Sequence, residues 1–333
     1  MRKLLLGTSL ASAMLLAGSA YAETKVSGYL ETTIGSSSTS NSSSVNGSTP
    51  SAIGHESSID LSMSKELDNG LALSAGFGTE NGTQTDQFLK LSSGNTTFAI
   101  GSDVSGVADN VSQEDFTPYI AQDIHTTGLA KGNLAGINTV HGNNAFYLIQ
   151  KTDLANIEFA YSPNVDNGGT AAASNNTGRS TTTTDAASGY DLAVHGNMGV
   201  EGLKVGYGIS KQKAVQSTGT SDKEGTGYGV KYAMNGFEVG YGQTTNKATA
   251  TTNESENTAY GIAYNVSDAL SVGYYQAEYS IDGTALDEEY KSVQVGYDLG
   301  GMGITVSLVQ LENASGTSGN DEEKLEIRTV NKF

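Results

Sequence analysis

The chain has no cysteine and no tryptophan, three prolines among 333 residues, and half as many bases (18 Lys+Arg) as acids (36 Asp+Glu). Without disulfides, closure of an exported fold falls to strand pairing. A formal charge of −18 argues against nucleic acid as a partner, because phosphates are neutralised by a basic surface. Past residue 22 no apolar run approaches the ~20 residues that a spanning helix needs. Gly, Ser, Asn or Asp interrupts the chain every few residues. What is abundant is glycine, 42 residues, and tyrosine, 17. That balance fits many strands joined by tight turns.

Residues 1–22 read as a secretory signal peptide. Arg2 and Lys3 begin it, Leu4 to Leu16 form its apolar stretch, and Ala20-Tyr21-Ala22 is a small-residue cleavage site. The apolar stretch is too short to be a membrane anchor. Cleavage leaves residues 23–333 as one domain and removes Arg2 and Lys3, so 16 bases then face 36 acids.

The dominant pattern in that domain is alternation with period two. Tyr228, Val230, Tyr232 and Met234 alternate with Gly229, Lys231 and Ala233. Asn235-Gly236 follows, and then Phe237, Val239 and Tyr241 alternate with Glu238, Gly240 and Gly242. Alternation places one strand face against an apolar medium, and Asn-Gly supplies the positive φ angles of a two-residue hairpin turn. The opposite face, largely Gly, Ala, Ser and isolated charge, cannot fill a dry protein core. Hydrocarbon on one side and water on the other satisfies both faces.

Such runs fall near 25–34, 56–67, 71–80, 85–92, 96–104, 144–151, 157–162 and 189–198. Others lie near 203–211, 225–234, 237–244, 257–265, 269–279, 288–299, 302–312 and 323–333. Sixteen strands is an even number, as single-chain outer-membrane barrels require. The connections alternate between short turns such as Asp68-Asn69-Gly70 and Ser267-Asp268, and long Ser/Thr/Asn/Gly-rich links such as 163–188. The link at 81–84 is short where a long one is due. Short turns on one rim and long loops on the other describe a transmembrane barrel. The expected fold is therefore all-β: an antiparallel up-and-down barrel wide enough for a water-filled channel. Tyr232, Phe237, Tyr264 and Tyr297 lie near short turns, where an aromatic girdle belongs.

At this point the chain resembles a Gram-negative general porin of the alphaproteobacterial style. The likeness covers the signal peptide, the opening strand Val26-Ser27-Gly28-Tyr29, the sixteen strands and the terminal Phe333, with Leu325, Ile327 and Thr329 on its face. The resemblance implies an outer-membrane location, a homotrimer in lipid, and passage of small hydrophilic solutes. It further implies that Phe333 is read by the barrel-assembly machinery, and that the third external loop folds inward to narrow the channel. The candidate loop is 105–143. Its Asp109, Glu114, Asp115 and Asp123 are the acidic candidates for the constriction, and Phe116, Pro118 and Tyr119 are candidate anchors. The family's opposing arginine cluster is thin here: beyond the leader the arginines are Arg179 and Arg328, and Lys90, Lys324 and Arg328 have the parity to face the lumen.

With acids in excess, a cation preference is expected. The loop carboxylates match no calcium-loop spacing. His55, His125, His141 and His195 are scattered without metal-ligand spacing, so no metal or other cofactor is expected. No nucleophile elbow, phosphate-binding loop or paired catalytic carboxylates appear, which argues against an enzyme. The alternative, an exported adhesin or β-rich binding protein, would carry a fixed repeat. The gaps between strands here vary from a few residues to about forty.

Overall fold

The structure is a computed structural model. It describes residues 23–39, 51–102, 104, 106–118, 145–163, 188–213, 222–248, 254–283 and 286–333. Residues 1–22, expected from the sequence to be a signal peptide, lie outside them. Sixteen strands follow in order: β1 (Glu23–Thr39), β2 (Ser51–Glu66), β3 (Ala72–Glu80), β4 (Thr83–Ser93), β5 (Thr96–Ser102), β6 (Ala145–Lys151), β7 (Asn156–Ser162) and β8 (Gly189–Gly196). The circuit continues with β9 (Leu203–Gln212), β10 (Lys223–Met234), β11 (Phe237–Ala248), β12 (Glu254–Asn265), β13 (Leu270–Ile281), β14 (Glu288–Asp298), β15 (Met302–Glu312) and β16 (Glu322–Lys332).

Each strand pairs with its sequence neighbours, and β16 pairs antiparallel with β1 to close the barrel. Closure leaves no open edge, so every strand's polar backbone has a partner within the hydrocarbon layer. The seam is completed by Phe333, whose N–H donates to Gly28 O at 3.0 Å while Gly28 N–H donates to Phe333 O at 2.9 Å. The terminal phenylalanine is therefore part of the sheet, and its ring is exposed.

Two turns show why the registers hold. Asn235 and Gly236 have φ of 50° and 82°, and the exceptional short link is a two-residue turn, Asn81 and Gly82, with φ of 49° and 80°. Positive φ at both central positions matches the twist of the flanking strands. The turn at 81–82 also joins the sheet laterally, because Asn81 Oδ1 accepts from Ser57 N–H at 3.0 Å.

Strand parity sorts the two faces. Phe159 and Leu192 are exposed, whereas Ala160 and Ala193 beside them are fully buried. Apolar residues hold the convex face all round the barrel, from Leu30 and Phe98 to Val230, Ile262 and Leu308. The rings of Phe237 and Tyr264 stack at 4.2 Å beside the 235–236 turn, where a girdle was expected. The sheet runs further than the alternation indicated at β1, β2, β10, β11 and β12. Apart from Ala52, Ile53 and Ala248 the added residues are polar or glycine, so little in the pattern marks the strand.

One expectation needs correction. The concave face is not uniformly Gly, Ser and charge: on β13–β15 it carries Tyr275, Ala277, Tyr290, Val309 and Leu311 in a buried cluster with Ala259 and Ala314. Tyr275 and Tyr290 meet edge to face at 5.7 Å.

Candidate functional site

The site is built where the chain leaves β5. Of the connection between β5 and β6, residue 104 and residues 106–118 are described. They form a 3-10 turn at Asp109–Val111 and one helical turn, α1 (Gln113–Phe116). Val104, Val107, Ala108, Val111 and Phe116 are buried in one cluster with Ala99, Ala145, Tyr147, Ala160 and Ala193 of the concave face. Apolar residues in a polar-rimmed loop therefore find apolar cover inside the barrel, and that burial holds the segment down.

Beyond β8 the same segment lies on a bed of glycines. A methyl carbon at Gly206 would stand 2.6 Å from Phe116 Cζ and 2.7 Å from Val111 Cγ1. At Gly208 it would strike Val111, at Gly229 the Phe116 ring, and at Gly240 the Phe116 carbonyl oxygen. At Gly261 it would stand 2.6 Å from the Pro118 carbonyl oxygen. Gly206 pairs with Gly229, and Gly240 with Gly261, so four consecutive strands share one trough. Here glycine serves close backbone approach rather than turning.

Polar contacts fix the segment's position. Asn110 Nδ2 donates to Glu158 Oε2 at 2.9 Å, and Glu158 Oε1 lies 3.2 Å from His195 Nε2. Lys204 Nζ lies 3.4 Å from Asp115 Oδ1 and from Asp115 O, and 5.0 Å from the centre of the Phe116 ring. On the other flank Lys90 Nζ donates to Val104 O at 3.2 Å and sits 4.2 Å from the Phe88 ring centre.

The sequence-derived candidates are thus placed unevenly. Asp109 begins the 3-10 turn, Glu114 lies in α1, and Asp115 faces Lys204. Asp123 and Tyr119 lie outside the described residues. Phe116 and Pro118 rest on the glycine trough. Lys90 grips the start of the loop. Lys324 is buried and paired with Glu326, and Arg328 pairs with Glu31 across the β16–β1 seam. Lys204, Glu158, His195 and the trough glycines were not among the candidates. Glycine repeated at inward parity on β9 to β12 is the available signal, but parity alone does not distinguish a packing bed from open lining.

An open cavity of about 1110 Å³ lies towards the short-turn rim. Inward-facing Tyr29, Glu31, Asp298, Thr305, Arg328 and Lys332 line it. Wall charge meeting a cavity of this size suits hydrated solutes.

Against known proteins, a family profile described as Gram-negative porin matches residues 9–318. No curated protein matches the chain. Among solved structures the chain is similar to OmpT of Vibrio cholerae in its trimer form, at 14% identity and TM-score 0.61, covering 94% of this chain and 99% of that one. It is also similar to a triple mutant of the Rhodopseudomonas blastica porin, at 13% identity and TM-score 0.58, covering 93% and 100%. The outer-membrane channel DcaP of Acinetobacter baumannii aligns at 8% identity and TM-score 0.62, covering 96% and 100%. At such identities the structures speak for the fold, and the family profile, spanning nearly the whole chain, speaks for kinship. The chain belongs to the Gram-negative porin family.

Proposed function

We propose that this porin prefers cations and that its constriction is formed where the β5–β6 connection crosses the lumen. As a member of its family the protein is an outer-membrane channel for passive diffusion of small hydrophilic solutes. A water-filled lumen spares such solutes the cost of entering hydrocarbon, and charged groups at its narrowest level set ion preference. Asp109, Glu114, Asp115 and Asp123 are the acids assigned to that level, with Lys204 as their base in place of an arginine cluster.

One observation carries the preference: five inward bases, among them both that touch the β5–β6 connection, are already engaged. Lys204 faces Asp115, Lys231 faces Glu238, Lys324 faces Glu326, Arg328 faces Glu31, and Lys90 donates to a carbonyl. Pairing cancels these charges locally, so the remaining carboxylates dominate the potential within a Debye length of ~8 Å. Reversal potential in a planar bilayer under a salt gradient tests this. Its sign should indicate cations, and neutral amides at Glu114, Asp115 and Asp123 should move it towards zero. An anion sign in the unaltered protein would end the proposal, and an unmoved potential would remove these residues from the constriction.

The reading extends to maturation and assembly. Residues 1–22 are cleaved on export, Phe333 is recognised by the barrel-assembly machinery, and three copies associate in the outer membrane, as in the trimer form of OmpT.

A further inference from the structure

The inner wall sorts its charge by side. The docked segment rests on β9 to β12, and there Lys204 pairs with Asp115 and Lys231 with Glu238. In the closed strand order β2 stands eight places from β10, so β1 to β3 face that segment across the lumen. Together β2 and β3 hold one Lys or Arg, Lys65, and it lies at the parity of exposed Ile53 and Ile59. Glu56, Ser58, Asp60 and Ser62 occupy the other, inward parity.

The register brings the acids of this facing wall together. Glu56 is directly opposite Glu31, and Ser58, two residues further on, is opposite both Tyr29 and Glu80. Like charges directly opposite one another destabilise a sheet. Arg328 offsets Glu31, but the partner of Glu56 is the Tyr29 hydroxyl, and Asp60 Oδ2 accepts from the Ser58 hydroxyl at 3.1 Å. A hydroxyl orients a carboxylate without cancelling its charge. Among the described residues neither Glu56 nor Asp60 has a basic partner. Both are half-buried rather than sealed off, and Tyr29 and Glu31 beside them line the open cavity of about 1110 Å³. The uncancelled charge therefore stands where hydrated solutes pass. A local rule broken at a cost to stability marks a functional position.

We propose that Glu56 and Asp60 are specificity-determining residues for permeation, forming on β2 a strip of uncancelled negative charge that draws cations past the docked segment and holds anions back. The inference rests on the cation reading above and deepens it, because it adds the facing wall to the loop carboxylates named there. Four residues separate the two acids, a span of about 13 Å along the strand. Each field decays over a Debye length of ~8 Å, so a cation leaving one carboxylate enters the field of the next. On the segment's own side the two lysines and their acids cancel, so the wall across the lumen is where an uncompensated charge acts on the solute.

The test measures reversal potential in planar bilayers under a potassium chloride gradient for Glu56→Gln, Asp60→Asn and the double variant, with folding verified by heat-modifiable gel mobility. Two unit charges ~8 Å from an ion in screened water change its local concentration about twofold, and that of the opposite ion inversely, so the double variant's cation-to-anion permeability ratio should fall about fourfold. Glu278→Gln, which removes a carboxylate from the outward face of β13, should leave the ratio unchanged. Asp60→Cys adds a readout that a structural role would not move, because the chain has no other thiol. An anionic sulfonatoethyl methanethiosulfonate should restore the parent's ratio, and a cationic trimethylammonium reagent should push it towards anions. A double variant with the parent's ratio, an equal fall in Glu278→Gln, an unreactive thiol or the same response to both reagents overturns the proposal. The two readings fail differently. A cation sign that the β2 changes do not move removes this strip alone, whereas an anion sign in the unaltered protein ends both.

Discussion

Phe116→Ala is the sharpest perturbation of the inner wall. The Phe116 ring is fully buried, lies over the trough at Gly206 and Gly229, and has Lys204 Nζ 5.0 Å from its centre. Truncation leaves a void that the glycines cannot fill, because they have no side chains to move. Phe-to-Ala changes in packed sites cost ~3–5 kcal/mol. Even ~3 kcal/mol changes the docked-to-undocked ratio of the segment about 100-fold, at ~1.4 kcal/mol per factor of ten. The strand ladder does not include Phe116, so the barrel should still close. Single-channel recording in planar bilayers is the assay. The variant should show larger and noisier conductance with weaker ion selectivity, and Phe116→Leu should fall between it and the parent. A folded Phe116→Ala channel with the parent's conductance and selectivity would refute the reasoning, because docking would then not depend on this ring.

Other outcomes follow from the same geometry. Gly240→Val places a branched side chain where the Phe116 carbonyl oxygen lies, so it should displace the segment and raise conductance as Phe116→Ala does. Arg328→Leu strands Glu31, which is 6% exposed. Breaking a buried pair costs ~3–5 kcal/mol, so the temperature of heat modification should fall more than in Glu31→Gln, whose amide oxygen can still accept from Arg328. Deleting Phe333 removes both backbone hydrogen bonds to Gly28, and the amount of folded barrel recovered from the outer membrane should drop.

Much of this barrel can be read from residues because one physical contrast, hydrocarbon against water, repeats at every second position. Tyr228 to Tyr241 betray their faces and their turn without any tertiary knowledge, and so does Phe333. Legibility fails where the contrast fails. At the ends of β1 and β2 nearest the long loops, Gly35 to Thr39 has no apolar side chain and Ser51 to Ile53 only Ala52 and Ile53, too few to show alternation, so both read as loop although they pair as strand. The inner wall fails for another reason. Asp115 meets Lys204 across 89 residues of sequence, and Glu31 meets Arg328 across 297. Those contacts exist only once the sheet has closed in one register. Gly206, Gly229 and Gly240 illustrate the same limit, since inward parity is visible in the sequence but what rests on a glycine is not.

Because the chain has no cysteine, a single introduced thiol reports its own surroundings. The most direct measurement is therefore a cysteine scan of residues 228–234 with a membrane-impermeant, water-borne thiol reagent applied to outer-membrane vesicles. Reaction should be fast at Lys231 and Ala233 and slow at Tyr228, Val230 and Tyr232, with Gly229 set apart because the Phe116 ring covers it. Reactivity that is uniform along the strand, or that alternates in the opposite sense, would contradict an aqueous inside and a hydrocarbon outside.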